Sequence, residues 1–228
     1  MSAALTGTEI CVFDAYGTLF DFNSSVARHR SAIGPKADAL SEMWRTKQIQ
    51  YTWLRNSMTA YAPFWQVTGE ALDNCLAAHG ITDPSVREKL LGAYLALDPF
   101  PEVPAMLDKL KRAGKRLAIL SNGNPEMLDP MVKASGLADR FEAVISVDAA
   151  KVFKVDSRTY ALVERRLGVK PDKVCFLSSN CWDAHGAAHF GFQTLWVNRG
   201  GVPEDNLPGK IVAEIKDLSH LPFLLGVA

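Results

Sequence analysis

Residues 10–21 read Ile10-Cys11-Val12-Phe13-Asp14-Ala15-Tyr16-Gly17-Thr18-Leu19-Phe20-Asp21. Four apolar residues run straight into an aspartate, and a glycine follows three positions later. An unbroken apolar run of this length is the pattern of a strand covered on both faces, as in a parallel sheet. Gly17 lets the chain turn sharply beyond it. Outward from this stretch lie four further runs of the same kind: Arg116-Leu117-Ala118-Ile119-Leu120, Ala143-Val144-Ile145-Ser146-Val147, Val174-Cys175-Phe176-Leu177 and Thr194-Leu195-Trp196-Val197. Helical patterns over residues 104–113, 124–136, 157–167 and 182–190 alternate with them. Gly114, Gly136, Gly168 and Gly191 stand at their ends, and Asn124-Pro125 reads as an N-cap followed by proline at the first helical position. The alternation predicts an α/β fold with a doubly wound parallel sheet.

Residues 21–97 break the alternation. Leu40, Trp44, Tyr51, Leu54 and Met58 recur at helical spacing. Thr68 and Asp83-Pro84 are each predicted to open a further helix, with Gly80 at the stop between them. An all-helical block after the first strand of such a sheet reads as an inserted cap. The predicted division is a core of residues 1–20 and 98–228 around a cap of residues 21–97. The hinges fall at 20–23 and 98–101, where Pro99 and Pro101 stiffen the return.

Composition narrows the function. At roughly 150 residues per domain, 228 residues are about one and a half domains and fit one domain with an insertion as well as two. Lys plus Arg number 25 and Asp plus Glu number 25, a net charge of +0. That balance argues against a nucleic-acid binder and offers no polybasic patch to a membrane. The opening MSAALTGTEI has neither the basic start nor the apolar run of a signal peptide. No stretch approaches the roughly 18–20 apolar residues of a membrane span. Cys11, Cys75, Cys175 and Cys181 form no C-x-x-C pair and have no zinc spacing, so they are expected as free core thiols in a reducing cytoplasm.

The chemistry gathers after the strands. Asp14 follows the first, Ser121-Asn122-Gly123 the second, Lys151 and Lys154 the third, and Ser178-Ser179-Asn180 with Asp183 the fourth. Open parallel sheets bind ligands beyond the carboxyl ends of their strands, so these groups are expected to converge on one crevice. Asp14 is the candidate nucleophile. Desolvation at a strand end would favour its neutral acid, and Lys154 nearby would keep it ionised. Thr18 and Ser121 are candidate hydrogen-bond donors.

Phe13-Asp14-Ala15-Tyr16-Gly17-Thr18, Leu120-Ser121-Asn122-Gly123, Lys154 and Ser178-Ser179-Asn180-Cys181-Trp182-Asp183 together resemble the four motifs of the haloacid dehalogenase superfamily, almost end to end. Phosphatases of that superfamily carry a second acid two residues after the nucleophile and an acidic pair in the fourth motif that holds magnesium. Here those positions are Tyr16 and Ser179, with Asp183 the surviving acid. D-x-Y-G-T, S-N-G and S-S-N-x-W-D are similar to the L-2-haloacid dehalogenases, as is the cap segment Trp44-Arg45-Thr46-Lys47-Gln48. Two positions depart from that pattern. Thr46 stands where the family usually has Gln, and Val155 follows Lys154 where it usually has Pro.

The resemblance implies hydrolysis of L-2-haloalkanoic acids to D-2-hydroxy acids, with inversion, through a covalent ester on Asp14. It implies no metal and no cofactor. Expected catalytic residues are Asp14, Thr18, Arg45, Ser121, Lys154, Tyr160, Ser178, Asn180 and Asp183. Tyr16, Ile49, Phe64, Asn122 and Trp182 are expected to contact substrate. Arg45 and Asn122 would receive the halide, Ser121 would bind the substrate carboxylate, and Asp183 or His185 would activate the water. A small haloacid and a second copy of the chain are the expected partners. The aromatic residues from Tyr51 to Trp65 are candidates for that subunit interface. A magnesium-dependent phosphatase or phosphonatase, and a non-catalytic binding protein on the same fold, are the alternatives.

Overall fold

The structure, a computed structural model, describes residues 5 and 7–227. The remaining residues include the ends of the expected core and the first residues of the opening stretch, and they lie outside the described residues. Strands β1 (Ile10–Phe13), β4 (Arg116–Ser121), β5 (Ala143–Ser146), β6 (Val174–Ser178), β7 (Gln193–Val197) and β8 (Ala213–Ile215) form one sheet. Its order is β5-β4-β1-β6-β7-β8, all parallel. The predicted doubly wound sheet is therefore present. β1 is central, with Ile10 to Phe13 paired to both β4 and β6. All four of its residues are buried, which is why the strand reads as an unbroken apolar run.

Helices α6 (Val103–Arg112), α7 (Pro125–Ala134), α8 (Ser157–Leu167) and α9 (Cys181–Phe190) alternate with the strands, and the short α10 (Leu221–Leu224) closes the fold. Between β1 and β4 the chain makes two short strands, β2 (Phe20–Asp21) and β3 (Asp98–Pro99), which pair antiparallel, Phe20 with Pro99 and Asp21 with Asp98. All of α1 (Asn23–Ala27), α2 (Arg30–Ile33), α3 (Ala37–Ser57), α4 (Phe64–Ala78) and α5 (Pro84–Tyr94) lies between them. No helix among the described residues is long and apolar enough to cross a membrane.

Three local expectations are corrected. The second cap helix starts at Phe64 rather than Thr68, because extended Pro63 ends the preceding turn and sets its N-cap. Thr68 lies inside that helix, fully buried, and donates to the Phe64 carbonyl at 2.7 Å. Val147 leaves the third strand and opens a 3-10 turn. Asn124 occupies the N-cap position of α7, but its side chain does not cap it. Its Oδ1 accepts instead from the backbone N–H of Trp65 at 2.8 Å, so a core residue holds the start of α4.

Candidate active site

Asp14 stands one residue beyond β1, and its N–H donates to the Leu177 carbonyl at 2.9 Å. The ladder thus extends to the nucleophile candidate and fixes its backbone. The turn that follows needs Gly17, whose φ is +87° and whose added Cβ would lie 2.9 Å from Ser179 Oγ. Asp14 is 5% exposed, and both carboxylate oxygens are held. Lys154 Nζ donates to Oδ1 at 3.1 Å. Asn180 Nδ2 and Thr18 Oγ1 donate to Oδ2 at 2.9 and 3.2 Å. Thr18 is itself placed by the Ser179 N–H, which donates to its Oγ1 at 2.8 Å.

Lys154 bridges two acids. Its Nζ also donates to Asp183 Oδ2 at 2.8 Å. Burial alone would lower the lysine, but the Asp14 and Asp183 carboxylates outweigh it and hold the ammonium above its ordinary value. Burial raises the Asp183 carboxyl above the usual carboxylate range, with Lys154 opposing and Asp14 adding to the rise. Asp183 lies in the first turn of α9, where the positive end of the helix dipole favours its charge. Its Oδ1 accepts from the Tyr160 hydroxyl at 2.8 Å. Tyr160 is fully buried, with its ring among those of Phe176, Phe190 and Phe192 at 5.8–6.0 Å. Its hydroxyl is kept protonated by burial and by the nearby Asp183, so it serves Asp183 as a donor.

Arg45 enters from the cap. Its Nη2 donates to Asn180 Oδ1 at 3.1 Å and to the Tyr16 carbonyl at 3.4 Å, and Nη1 donates to Gln48 Oε1 at 2.8 Å. Asn180 therefore touches Asp14 with one end of its amide and Arg45 with the other. Like Asn124, it stands at a helix N-cap while its side chain works elsewhere. Tyr16 stacks on Tyr94 with ring centroids 5.4 Å apart and lies 5.8 Å from Phe64. Its hydroxyl is buried without a hydrogen-bond partner among the described residues. A Cβ on Gly123 would come within 2.8 Å of that hydroxyl, which explains a glycine there.

The other expected residues divide. Asn122 is buried and accepts from the Lys154 N–H through Oδ1 at 3.0 Å. Ser121 and Ser178 each accept from a backbone N–H two residues on, Gly123 at 3.1 Å and Asn180 at 3.2 Å. They shape the turns after β4 and β6, and each hydroxyl keeps its proton to donate. Ile49 is buried on α3, one turn beyond Arg45, and Phe64 is fully buried. Trp182 packs edge-on against Trp53 of α3 at 5.4 Å and lines an apolar cavity of roughly 200 Å³ with Val155, His185 and Phe190. Lys151 pairs with Asp148 at 2.7 Å and is exposed. His185 is neither a surface residue nor turned toward Asp14. It is 4% exposed, and its Nδ1 lies 3.0 Å from the Gly209 carbonyl.

Sequence reading missed Gln48 as a site residue. It is 1% exposed, accepts from Arg45 and from the Tyr94 hydroxyl at 3.2 Å, and donates to Thr68 Oγ1 at 2.7 Å. The signal was present: Trp44, Gln48 and Thr52 recur every four residues, so a polar amide falls on the apolar stripe of α3.

The family model of the haloacid dehalogenase-like hydrolases matches residues 8–191. The (S)-2-haloacid dehalogenase 4A of Burkholderia cepacia is 44% identical over 216 residues, 94% of each chain. The (S)-2-haloacid dehalogenase of Xanthobacter autotrophicus is 47% identical over 189 residues, 82% of this chain and 74% of its own. A solved structure of the Xanthobacter autotrophicus L-2-haloacid dehalogenase with chloropropionic acid covalently bound is similar at a TM-score of 0.88 and 39% identity, covering 96% of this chain and 98% of that one. With the fold, the strand-end aspartate and these likenesses together, the chain belongs to the haloacid dehalogenase-like hydrolases and, within them, to the family of the (S)-2-haloacid dehalogenases.

Proposed function

We propose that this chain hydrolyses L-2-haloalkanoic acids to D-2-hydroxy acids through a covalent ester on Asp14, without a metal. The observation that carries the reading is the grip on Asp14: a buried carboxylate held at both oxygens, with the Arg45 guanidinium on the same Asn180 amide that holds it. One Asp14 oxygen attacks C2, the C–halogen bond breaks with inversion, and the halide leaves with the bonding pair. Halide needs no proton to depart, so Tyr16 in place of a second acid fits this chemistry. Arg45, with Asn122 and the nearby ring edges, supplies a fixed cation where negative charge develops. Ser121 and the N–H groups of the turn after Asp14 are the donors we assign to the substrate carboxylate.

Water then attacks Cγ of the ester. The donors on the Asp14 oxygen that does not carry the substrate, Lys154 at Oδ1 or Thr18 and Asn180 at Oδ2, stabilise the oxyanion of that step. Asp183 is the base we assign to the water. Its raised carboxyl accepts a proton more readily than an ordinary one, whereas His185 has Nδ1 at the Gly209 carbonyl and Nε2 3.4 Å from Glu204 Oε1. The tetrahedral intermediate collapses by breaking the bond between Cγ and the ester oxygen. The 2-hydroxy acid leaves as its alkoxide and takes back the proton that Asp183 removed from the water, and Asp14 is regenerated as the carboxylate.

In this reading residues 1–20 and 98–228 are the catalytic core and residues 21–97 the cap, a division that the β2–β3 pairing supports. A second copy is the partner we assign to the end of α3, where Trp53, Leu54 and Met58 are 40%, 46% and 64% exposed. Sedimentation as a 25.0 kDa species at micromolar concentration would oppose it. The reducing cytoplasm is the setting we propose, since the four cysteines are free and buried. Recovery of the activity outside the cytoplasmic fraction would oppose that.

The test is halide release from each enantiomer of 2-chloropropionate, with and without chelator. Release from the L form alone, unchanged by chelator and abolished in Asp14→Asn, is the expected result. Chelator-sensitive release of phosphate from phosphate esters, with no halide release, would replace this reading by the phosphatase one.

A further inference from the structure

The turn that joins α3 to α4 sits on the loop that carries Lys154. Asn56, in the last turn of α3, donates through Nδ2 to the Phe153 carbonyl at 2.8 Å and accepts through Oδ1 from the Phe153 N–H at 2.9 Å. One cap amide therefore bonds both backbone polar groups of the residue next to Lys154; the Phe153 carbonyl accepts also from the Asp156 N–H at 3.2 Å, while its N–H has Asn56 as its partner. Phe153 is fully buried, so those groups have a strong need of partners. Five residues after Asn56, the Tyr61 hydroxyl donates to Asp148 Oδ1 at 2.6 Å, and its ring lies 5.0 Å from that of Phe153. From the core side, Asn122 accepts from the Lys154 N–H. Residues 153 and 154 thus hang between a cap amide and a core amide, and the Lys154 ammonium is the far end of that support.

We infer that Asn56 is a positioning residue: by clamping the Phe153 backbone it ties the seating of the cap to the place of the Lys154 ammonium between Asp14 and Asp183. The inference rests on the dehalogenase reading and deepens it. Asn56 touches none of the residues assigned to the reacting atoms. Ring packing alone lets a loop slide, whereas two opposed hydrogen bonds to one residue fix both its height and its rotation. A small displacement of Phe153 moves Lys154, and with it one of the donors that aims Asp14.

Asn56→Ala, Asn56→Asp and Arg28→Ala are compared with the wild type for halide release from L-2-chloropropionate and for melting temperature. Arg28 ties the cap to the chain elsewhere, donating to the Ala96 carbonyl at 2.6 Å and pairing with Asp98 at 2.5 Å. Asn56→Ala is expected to lower kcat by about 10- to 100-fold with KM within about threefold, since misplacement of a reacting group costs rate more than binding. Asn56→Asp keeps the acceptor for the Phe153 N–H and is expected to fall between. Arg28→Ala is expected to keep kcat within about threefold, as its contacts lie away from the reacting groups. Wild-type kcat in Asn56→Ala, or a loss confined to KM, overturns the inference. If Asn56→Ala does not fold, Asn56→Asp decides it, and failure of both to fold overturns positioning in favour of a purely structural role. A wild type that releases no halide from this substrate overturns the dehalogenase reading itself, and this inference with it.

Discussion

Lys154 Nζ and Asp183 Oδ2 meet at 2.8 Å, with side-chain exposures of 1% and 0%. A charge pair so fully withdrawn from water persists because each member also has a second partner, Asp14 for the lysine and Tyr160 for the aspartate. Lys154→Met leaves two buried carboxylates without their cation. It should lower the unfolding free energy by about 3–5 kcal/mol and cut halide release by about 10²–10³-fold or more. The pH dependence follows from the raised lysine. The folded chain binds this proton more tightly than the unfolded chain, so the lysine's contribution is complete below its ordinary value of 10.5 and is lost only as pH climbs beyond it. Urea unfolding of the wild type and the variant should therefore differ by a constant amount from pH 8 to about pH 10, and converge above. Convergence beginning near pH 8 would contradict the raised value.

Arg45→Lys keeps the charge and loses the fork. Two separate guanidinium nitrogens hold Gln48 and Asn180, and a lysine ammonium cannot reproduce that geometry. Halide release should fall by about 100-fold. The loss should be larger for 2-chloro than for 2-bromo acids, because the poorer leaving group leans harder on the cation. Equal losses for both halogens would place Arg45 away from the departing halide.

Tyr16→Phe removes a buried hydroxyl that has no hydrogen-bond partner among the described residues. Burial, with Tyr94 adding, raises its pKa well above the ordinary value, so the group is a neutral donor in the crevice. The variant should be more stable by about 1 kcal/mol and bind substrate about tenfold more weakly. Thermal unfolding and KM for L-2-chloropropionate measure the two effects. An unchanged KM would place the hydroxyl away from substrate.

The sequence made some of this visible and hid the rest for physical reasons. β1, β4, β6 and β7 are legible because each holds a run of apolar residues where the strand is buried on both faces, with polar residues only at the ends of the last three. β8 escaped notice because Ala213-Glu214-Ile215 is a three-residue edge strand with a charged centre. The strand-end residues Asp14, Lys154, Asn180 and Asp183 are legible because topology alone sends them to one side of the sheet. The cap's share is not local in the same way. Asn56 and Phe153 lie 97 positions apart, and Arg45 and Asn180 lie 135 apart. No spacing rule reaches such pairs, so Arg45 stood out only through the resemblance of its segment. Gln48 left a fainter trace as an amide on a buried stripe.

The pairing of Phe20 with Pro99 and Asp21 with Asp98 places the two crossings of the chain side by side. Strands paired in this way can be joined by a two-residue turn. Everything between them is thus topologically a long hairpin loop, and its length weighs only logarithmically on closing it. Helices could be lengthened, exchanged or shortened there over evolutionary time without disturbing the register of the six-stranded sheet. Such a fold can keep its nucleophile while revising the chamber above it. The cap residues Arg45 and Asn56 are where such revision would be felt first.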